Sequence, residues 1–203
     1  MHALETLIVK RDVALMAFLL SLACPFASQA GTIMETSGKA FAPPAFFSFC
    51  SRQPSLCSTA GGRKVVALQP GLSSELKQVN RSVNSRITEL SDQATVGKED
   101  DWRVPTVSGD CEDIAILKKL ELMKRGWPAS ALLLTVASYH GEGHTVLTVR
   151  TSEGDLVLDN LTNSVRDWSS TPYSYFARQA QGNGKRWERI GAAKPVKATA
   201  TGG

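Results

Sequence analysis

Two stretches decide the fold: residues 109–126, GDCEDIAILKKLELMKRG, and residues 132–160, LLLTVASYHGEGHTVLTVRTSEGDLVLDN. The first opens on polar residues, then places Ile114, Ala115, Leu117, Leu120, Leu122 and Met123 on more than one side of a helix. That predicts a buried, central helix over 111–125. Gly126 ends it, and Trp127-Pro128 keeps it from resuming. The second stretch holds three runs rich in Leu, Val and Thr, at 132–137, 144–150 and 156–160, joined by short glycine-containing turns. Such a pattern predicts an antiparallel meander. A central helix packed on an antiparallel sheet is an α+β architecture.

Upstream, Leu72, Leu76, Val79, Val83, Ile87 and Leu90 recur at steps of three and four, the mark of one apolar helix face over 72–90. Pro70-Gly71 breaks the chain before it, and Ser73 or Ser74 is available as a cap. Asn80 and Asn84 lie four apart on this helix; they either reach toward a cleft or, as is commoner, stay solvated. Residues 91–108 form a polar connection. Residues 31–71 read as an extended arm that docks through Phe46, Phe47 and Phe49. Downstream, 171–190 carries Tyr173, Tyr175, Phe176 and Trp187, a packed turn and an edge strand. Residues 192–203, mostly Ala, Lys, Thr and Gly, read as a disordered tail. With no internal repeat, residues 31–191 read as a single domain.

The chain has 203 residues, 42% hydrophobic and 21% charged, enough for one sizeable core. Its net charge of +4 is spread along the sequence, with no basic run interleaved with aromatics, so nothing points to nucleic acid. Lys10 and Arg11 precede an apolar run at 13–23 that is short for a bilayer span, and Ser28-Gln29-Ala30 supplies small residues for cleavage. Residues 1–30 therefore read as a secretory signal peptide cleaved after Ala30. An uncleaved anchor and lipidation at Cys24 are the alternatives. The mature chain is then periplasmic or secreted, with no further membrane span. Cys50, Cys57 and Cys111 remain. The first two are the natural disulfide pair in an oxidising compartment, closing a small loop that adds roughly 2 kcal/mol. The odd thiol, Cys111, is either buried and inert or kept free for chemistry.

Cys111 opens the central helix, where unpaired N–H groups and the positive dipole end favour a thiolate and can receive an oxyanion. The other reading is a structural cysteine in a helix–sheet contact, against which its polar neighbours speak. A thiolate nucleophile needs a base. His2 leaves with the signal peptide and His140 falls in the turn with Gly141 and Gly143, so His144 is the candidate. Pairing residue 150 with 155 across the hairpin puts His144 diagonal to Asp159 on one face, with Cα atoms about 7–8 Å apart. Asp159 ends an apolar run and needs a partner, which an imidazole supplies. Cys111, His144 and Asp159 thus form a nucleophile, base and orienter in papain-like order. A turn-capping role is the plainer reading of Asp159.

Trp102-Arg103-Val104-Pro105, Gly109-Asp110-Cys111-Glu112-Asp113, Gly143-His144-Thr145-Val146-Leu147 and Val157-Leu158-Asp159-Asn160 together resemble the bacterial transglutaminase-like cysteine proteinases, over roughly residues 72–187. That family includes the LapG-type periplasmic proteases that clip surface adhesins. The resemblance implies a papain-like, transglutaminase core, a triad on Cys111, His144 and Asp159, and a protein or peptide substrate such as a cell-envelope or surface protein. It also implies calcium, with Asp110 and Glu112 as ligands. Two carboxylates beside Cys111 oppose its ionisation, and a cation would cancel their field. Equally, Asp110 can cap the helix and Glu112 can complement its dipole. Trp102 and Asn160 are candidate cleft residues on the same resemblance, an ordinary core tryptophan being the alternative for Trp102. Ile114 stands where the family often carries an aromatic residue. The Phe49-Cys50 to Cys57 segment resembles a distinct branch of exported members, which leaves an adhesin substrate as an analogy.

The expected activity is peptide-bond hydrolysis through an acyl-enzyme on Cys111. Resolution of that intermediate by an amine, giving transamidation, is a second reading. A non-catalytic periplasmic binding module on the same core is a third, against which the retained Cys, His and Asp speak.

Overall fold

The computed structural model describes residues 31–196. The signal-peptide and Cys24 readings fall on 1–30 and the end of the tail on 197–203, outside the described residues. The elements run β1 (Thr32–Ala40), α1 (Phe46–Arg52), α2 (Pro54–Cys57), α3 (Pro70–Arg86), β2 (Thr88–Glu89), α4 (Asp92–Val96), β3 (Ser108–Gly109) and α5 (Cys111–Lys124). The second half is strands: β4 (Leu132–Tyr139), β5 (Glu142–Thr151), β6 (Gly154–Leu158), β7 (Arg166–Asp167), β8 (Ser174–Ala180) and β9 (Asn183–Pro195). Seven of the strands form one antiparallel sheet in the order β1-β9-β8-β4-β5-β6-β7. β2 and β3 pair in parallel beside it.

Helix α5 lies on β4 and β5, and α3 packs on α5. This layering follows from burial: α5 hides Ile114, Ala115, Ile116, Leu117 and Leu122, and α3 hides Leu76, Val79 and Val83. α3 starts earlier than its apolar pattern, because Pro70 suits the first turn, and no serine side chain caps it. It also stops earlier. After Ile87 the chain turns extended to pair Thr88 with Ser108, which leaves Leu90 exposed. The hairpin register matches the expectation, with Arg150 opposite Asp155 and Leu147 opposite Leu158.

The sheet curls until its edges meet. Asp155 on β6 accepts the Met34 N–H at 2.8 Å, and Asp167 on β7 accepts the Thr32 N–H at 2.6 Å. Arg150 grips the same Asp155 through two nitrogens at 2.9 and 2.8 Å. Edge N–H groups that would otherwise offer a pairing template are thereby used internally.

Three expectations need correction. The 31–71 segment is not an extended arm. It is strand β1 and two short helices, α1 and α2, joined by the Cys50–Cys57 disulfide. Strand β9 is interior, between β1 and β8, not an edge. The tail expected from residue 192 is ordered to Pro195, because Thr32, Ile33 and Met34 pair with Pro195, Lys194 and Ala193. Backbone pairing asks little of the side chains, so a low-complexity composition did not reveal it. Phe46 and Phe49 enter the core beside Trp102 and Trp187, with edge-on ring contacts of 5.4 Å (Phe46–Trp102) and 5.1 Å (Phe46–Trp187).

Candidate active site

The chain reaches the site through β3, which delivers Cys111 to the first turn of α5. The first intrahelical bond runs from the Ile114 N–H to the Asp110 carbonyl at 3.0 Å, so the N–H groups ahead of it point out of the helix end. The sulfur of Cys111 accepts the backbone N–H of Thr145 at 3.3 Å. That contact seats the helix tip against β5, one residue past His144. His144 is 8% exposed, and its Nε2 lies 2.9 Å from Oδ1 of Asp159, itself 2% exposed. With a carboxylate as acceptor, Nε2 carries the hydrogen, so Nδ1 is the nitrogen that accepts in the neutral tautomer.

Asp159 is held from several elements. Oδ1 also accepts the Leu161 N–H at 3.2 Å, and Oδ2 accepts the hydroxyl of Tyr173. Its backbone is clamped by α3. The Asp159 N–H donates to Asn80 Oδ1 at 3.1 Å, and its carbonyl accepts from Asn84 Nδ2 at 3.0 Å. Asn80 and Asn84 also donate to the Thr162 carbonyl. The commoner reading of these asparagines as solvated fails for Asn80, which is fully buried. Burial pushes the Asp159 carboxyl up, but the bonds from His144 and Tyr173 outweigh it and hold the group below the usual carboxylate range.

The thiol departs from the simple dipole argument. It donates to Glu112 Oε2 at 3.1 Å. Burial first, then the Glu112 charge and this bond, push Cys111 well above the ordinary thiol range. Burial and the nearby Asp110 raise Glu112 itself to about 8. Asp110 stands at the N-cap, yet its side chain does not cap α5; Oδ2 accepts the Asp92 N–H at 3.2 Å, and Oδ1 is buried without a hydrogen bond among the described residues. Burial and Asp92 raise its carboxyl as well. Single oxygens of Asp92, Asp100 and Glu112 lie within 4.8 Å of one another, as do those of Asp92, Asp110 and Asp113. Arg103 offsets part of this charge, 3.3 Å from both Asp92 and Asp113. Burial still raises Asp113 to about 7.

Trp102, a candidate cleft residue, is 2% exposed and packs against Phe46 and Trp187. It is a core residue, as its size and apolar ring favour. Asn160 stands beside Asp159, and its amide makes no hydrogen bond among the described residues. His140 lies at φ 52° in the exposed turn, its ring against Tyr139. Two groups escaped the sequence reading. Lys118 on α5 is fully buried, its Nζ makes no hydrogen bond among the described residues, and burial lowers it to about 7. Tyr173 could not be placed because β8 pairs with β4, a neighbour far away in sequence.

The family description "bacterial transglutaminase-like cysteine proteinase BTLCP" matches residues 36–195. Among solved structures, the chain is similar to EGTA-treated LapG of Legionella pneumophila at 22% identity, over 79% of this chain and 87% of that one, with a TM-score of 0.50. It is also similar to the calcium-bound form of that protein at 24% identity, over 68% and 77% of the two chains, with a TM-score of 0.47. No curated protein sequence matches significantly.

Proposed function

The chain belongs to the bacterial transglutaminase-like cysteine proteinases, and on that premise we propose that it is an exported peptidase acting through Cys111, His144 and Asp159. One juxtaposition carries the reading: the sulfur rests on the Thr145 N–H while the neighbouring imidazole is tethered to Asp159 at 2.9 Å. The Cys111 sulfur attacks the scissile carbonyl carbon as His144 Nδ1 takes the thiol proton. The carbonyl oxygen becomes an oxyanion received by N–H groups at the start of α5. The imidazolium, supported by Asp159, gives its proton to the leaving amine, and a thioester remains on Cys111. Water, deprotonated by His144, then attacks the thioester and releases the acid and the thiol. The Cys50–Cys57 disulfide supports the exported, periplasmic or secreted reading, since such bonds persist in oxidising compartments.

The acidic pocket fits a hard divalent cation such as calcium. Its donors are all carboxylate oxygens, and Asp110 Oδ1 is a buried acceptor with no hydrogen bond among the described residues. Asp92, Asp100, Asp110 and Glu112 would hold it, and when bound it would supply positive charge beside the thiol. Among the described residues no helix is long and apolar enough to cross a membrane.

The test compares new protein N-termini in envelope fractions from cells carrying the wild type or Cys111→Ala, with and without added primary amine. Cleavage products lost with Cys111→Ala support peptidase action. Amine-modified products in place of free acids would indicate transamidation, and identical termini in both strains would overturn the enzymatic reading.

A further inference from the structure

Asp159 must stay ionised and stay aimed at His144 Nε2, although it is almost fully buried. Oδ1 has two donors, His144 Nε2 and the Leu161 N–H. Oδ2 has a single donor among the described residues, the hydroxyl of Tyr173. The ring of Tyr173 lies against the imidazole of His144, centroids 5.0 Å apart and planes at 54°. It is braced in turn by Tyr139, edge-on at 5.3 Å. The sheet order produces this placement. Tyr175 on β8 pairs with Ala137 on β4, and Ala137 pairs with His144 on β5. Tyr173, two residues before Tyr175, thus comes to the next position along the sheet, beside Tyr139 and diagonal to the imidazole.

We infer that Tyr173 is a positioning residue of the reaction: its hydroxyl holds the second oxygen of Asp159 while its ring braces the His144 imidazole in the orientation tethered to that carboxylate. The inference rests on the Cys–His–Asp reading above and deepens it. An aromatic residue that merely filled space would not aim its hydroxyl at the one carboxylate oxygen lacking another donor. Burial, then the hydrogen bond to Asp159 and the charge of that carboxylate, push the Tyr173 hydroxyl well above its usual range, so it remains a donor throughout neutral pH. Lys118 on α5 and Tyr175 on β8 also feel the Asp159 charge. Neither forms a hydrogen bond to the carboxylate. Without the Tyr173 hydroxyl, Oδ2 is a buried carboxylate oxygen with no partner, and Asp159 takes up a proton more easily.

The test is the pH dependence of Cys111 alkylation by iodoacetamide, followed by mass spectrometry in buffer containing calcium. The proteins compared are wild type, Tyr173→Phe, Tyr175→Phe, His144→Ala and Asp159→Ala. Tyr173→Phe keeps the ring and is expected to react about ten- to a hundredfold more slowly at neutral pH, the loss typical of a hydrogen bond to a charged group. The acid limb of its profile should move upward by about one pH unit or more, the direction set by losing a bond to the ionised form. Tyr175, whose hydroxyl meets Thr171 at 2.8 Å, is the control and should match wild type when changed to Phe. If Tyr173→Phe shows the wild-type rate and profile while His144→Ala and Asp159→Ala are slow, the inference fails and the triad stands. If all variants match wild type, the triad itself fails. In the unaltered protein, NMR should show the Nε2 proton of His144 exchanging slowly with solvent. An imidazole carrying its proton on Nδ1 alone would overturn the inference even if Tyr173→Phe did not fold.

Discussion

Changing Glu112 to Gln should release the Cys111 thiol, and the structure says at which pH. The sulfur lies 3.1 Å from Glu112 Oε2. Two negative charges about 4 Å apart repel by about 4 kcal/mol at an effective dielectric of about 20. At about 1.4 kcal/mol per tenfold, that is an upper bound of about a thousandfold on the thiolate population. Because burial is the larger cause of the thiol's rise, the share of Glu112 is nearer about a hundredfold. The repulsion exists only when Glu112 is ionised, and its own carboxyl is raised to about 8 by burial and by Asp110. Below that pH the wild-type carboxyl is protonated and resembles the amide of Gln. Above it the wild-type thiol is suppressed and the variant is not. In chelator, the ratio of iodoacetamide rates, Glu112→Gln over wild type, should therefore climb from a few-fold near about pH 6 to about a hundredfold or more near about pH 10. A ratio that is flat with pH, or a variant slower than wild type, would refute the electrostatic reasoning.

Asn80→Ala removes the partner of the Asp159 N–H and one of the two donors to the Thr162 carbonyl in a buried setting. It should cost about 2–3 kcal/mol in urea denaturation and slow Cys111 alkylation; an effect under about 0.5 kcal/mol would mean that α3 does not brace the site. Lys118→Met should stabilise the fold by roughly 1–4 kcal/mol near about pH 6. Because burial lowers the Lys118 amine from 10.5 to about 7, the cost it imposes is full below 7 and fades as pH rises toward 10.5, and the gain on substitution should fade with it. Glu112 and Asp113 have the opposite sign. Carboxyls raised from 4.5 to about 8 and from 3.8 to about 7 lend stability that is full below their unfolded values and lost as pH rises through the folded ones. In chelator the melting temperature contributed by this pocket should fall across that window. Added calcium should restore it in wild type but restore less in Asp110→Asn.

The hairpin of β5 and β6 was legible because a period of two and a short turn leave few registers, and the one that pairs Arg150 with Asp155 brings His144 to Asp159. The helix carrying Cys111 was legible from apolar residues on more than one of its sides, closed by Gly126 and Pro128. What lay hidden depends on contacts distant in sequence. β8 inserts beside β4, β9 recruits β1, and only that order brings Tyr173 to Asp159. Asn80 and Asn84 looked like ordinary helix-surface residues, since nothing local shows that a loop 82 residues from Asn80 will meet them. The dipole argument for a thiolate at Cys111 is outweighed by burial and by the charge of Glu112; the carboxylates beside the thiol were legible in sequence, its burial was not.

Labelling of Cys111 in the folded protein by a peptide vinyl sulfone, compared between wild type and His144→Ala, addresses the pairing of sulfur and imidazole most directly. Modification is expected to be about a hundredfold or more faster in wild type, the scale of a positioned base. Equal rates in two folded proteins would contradict that pairing.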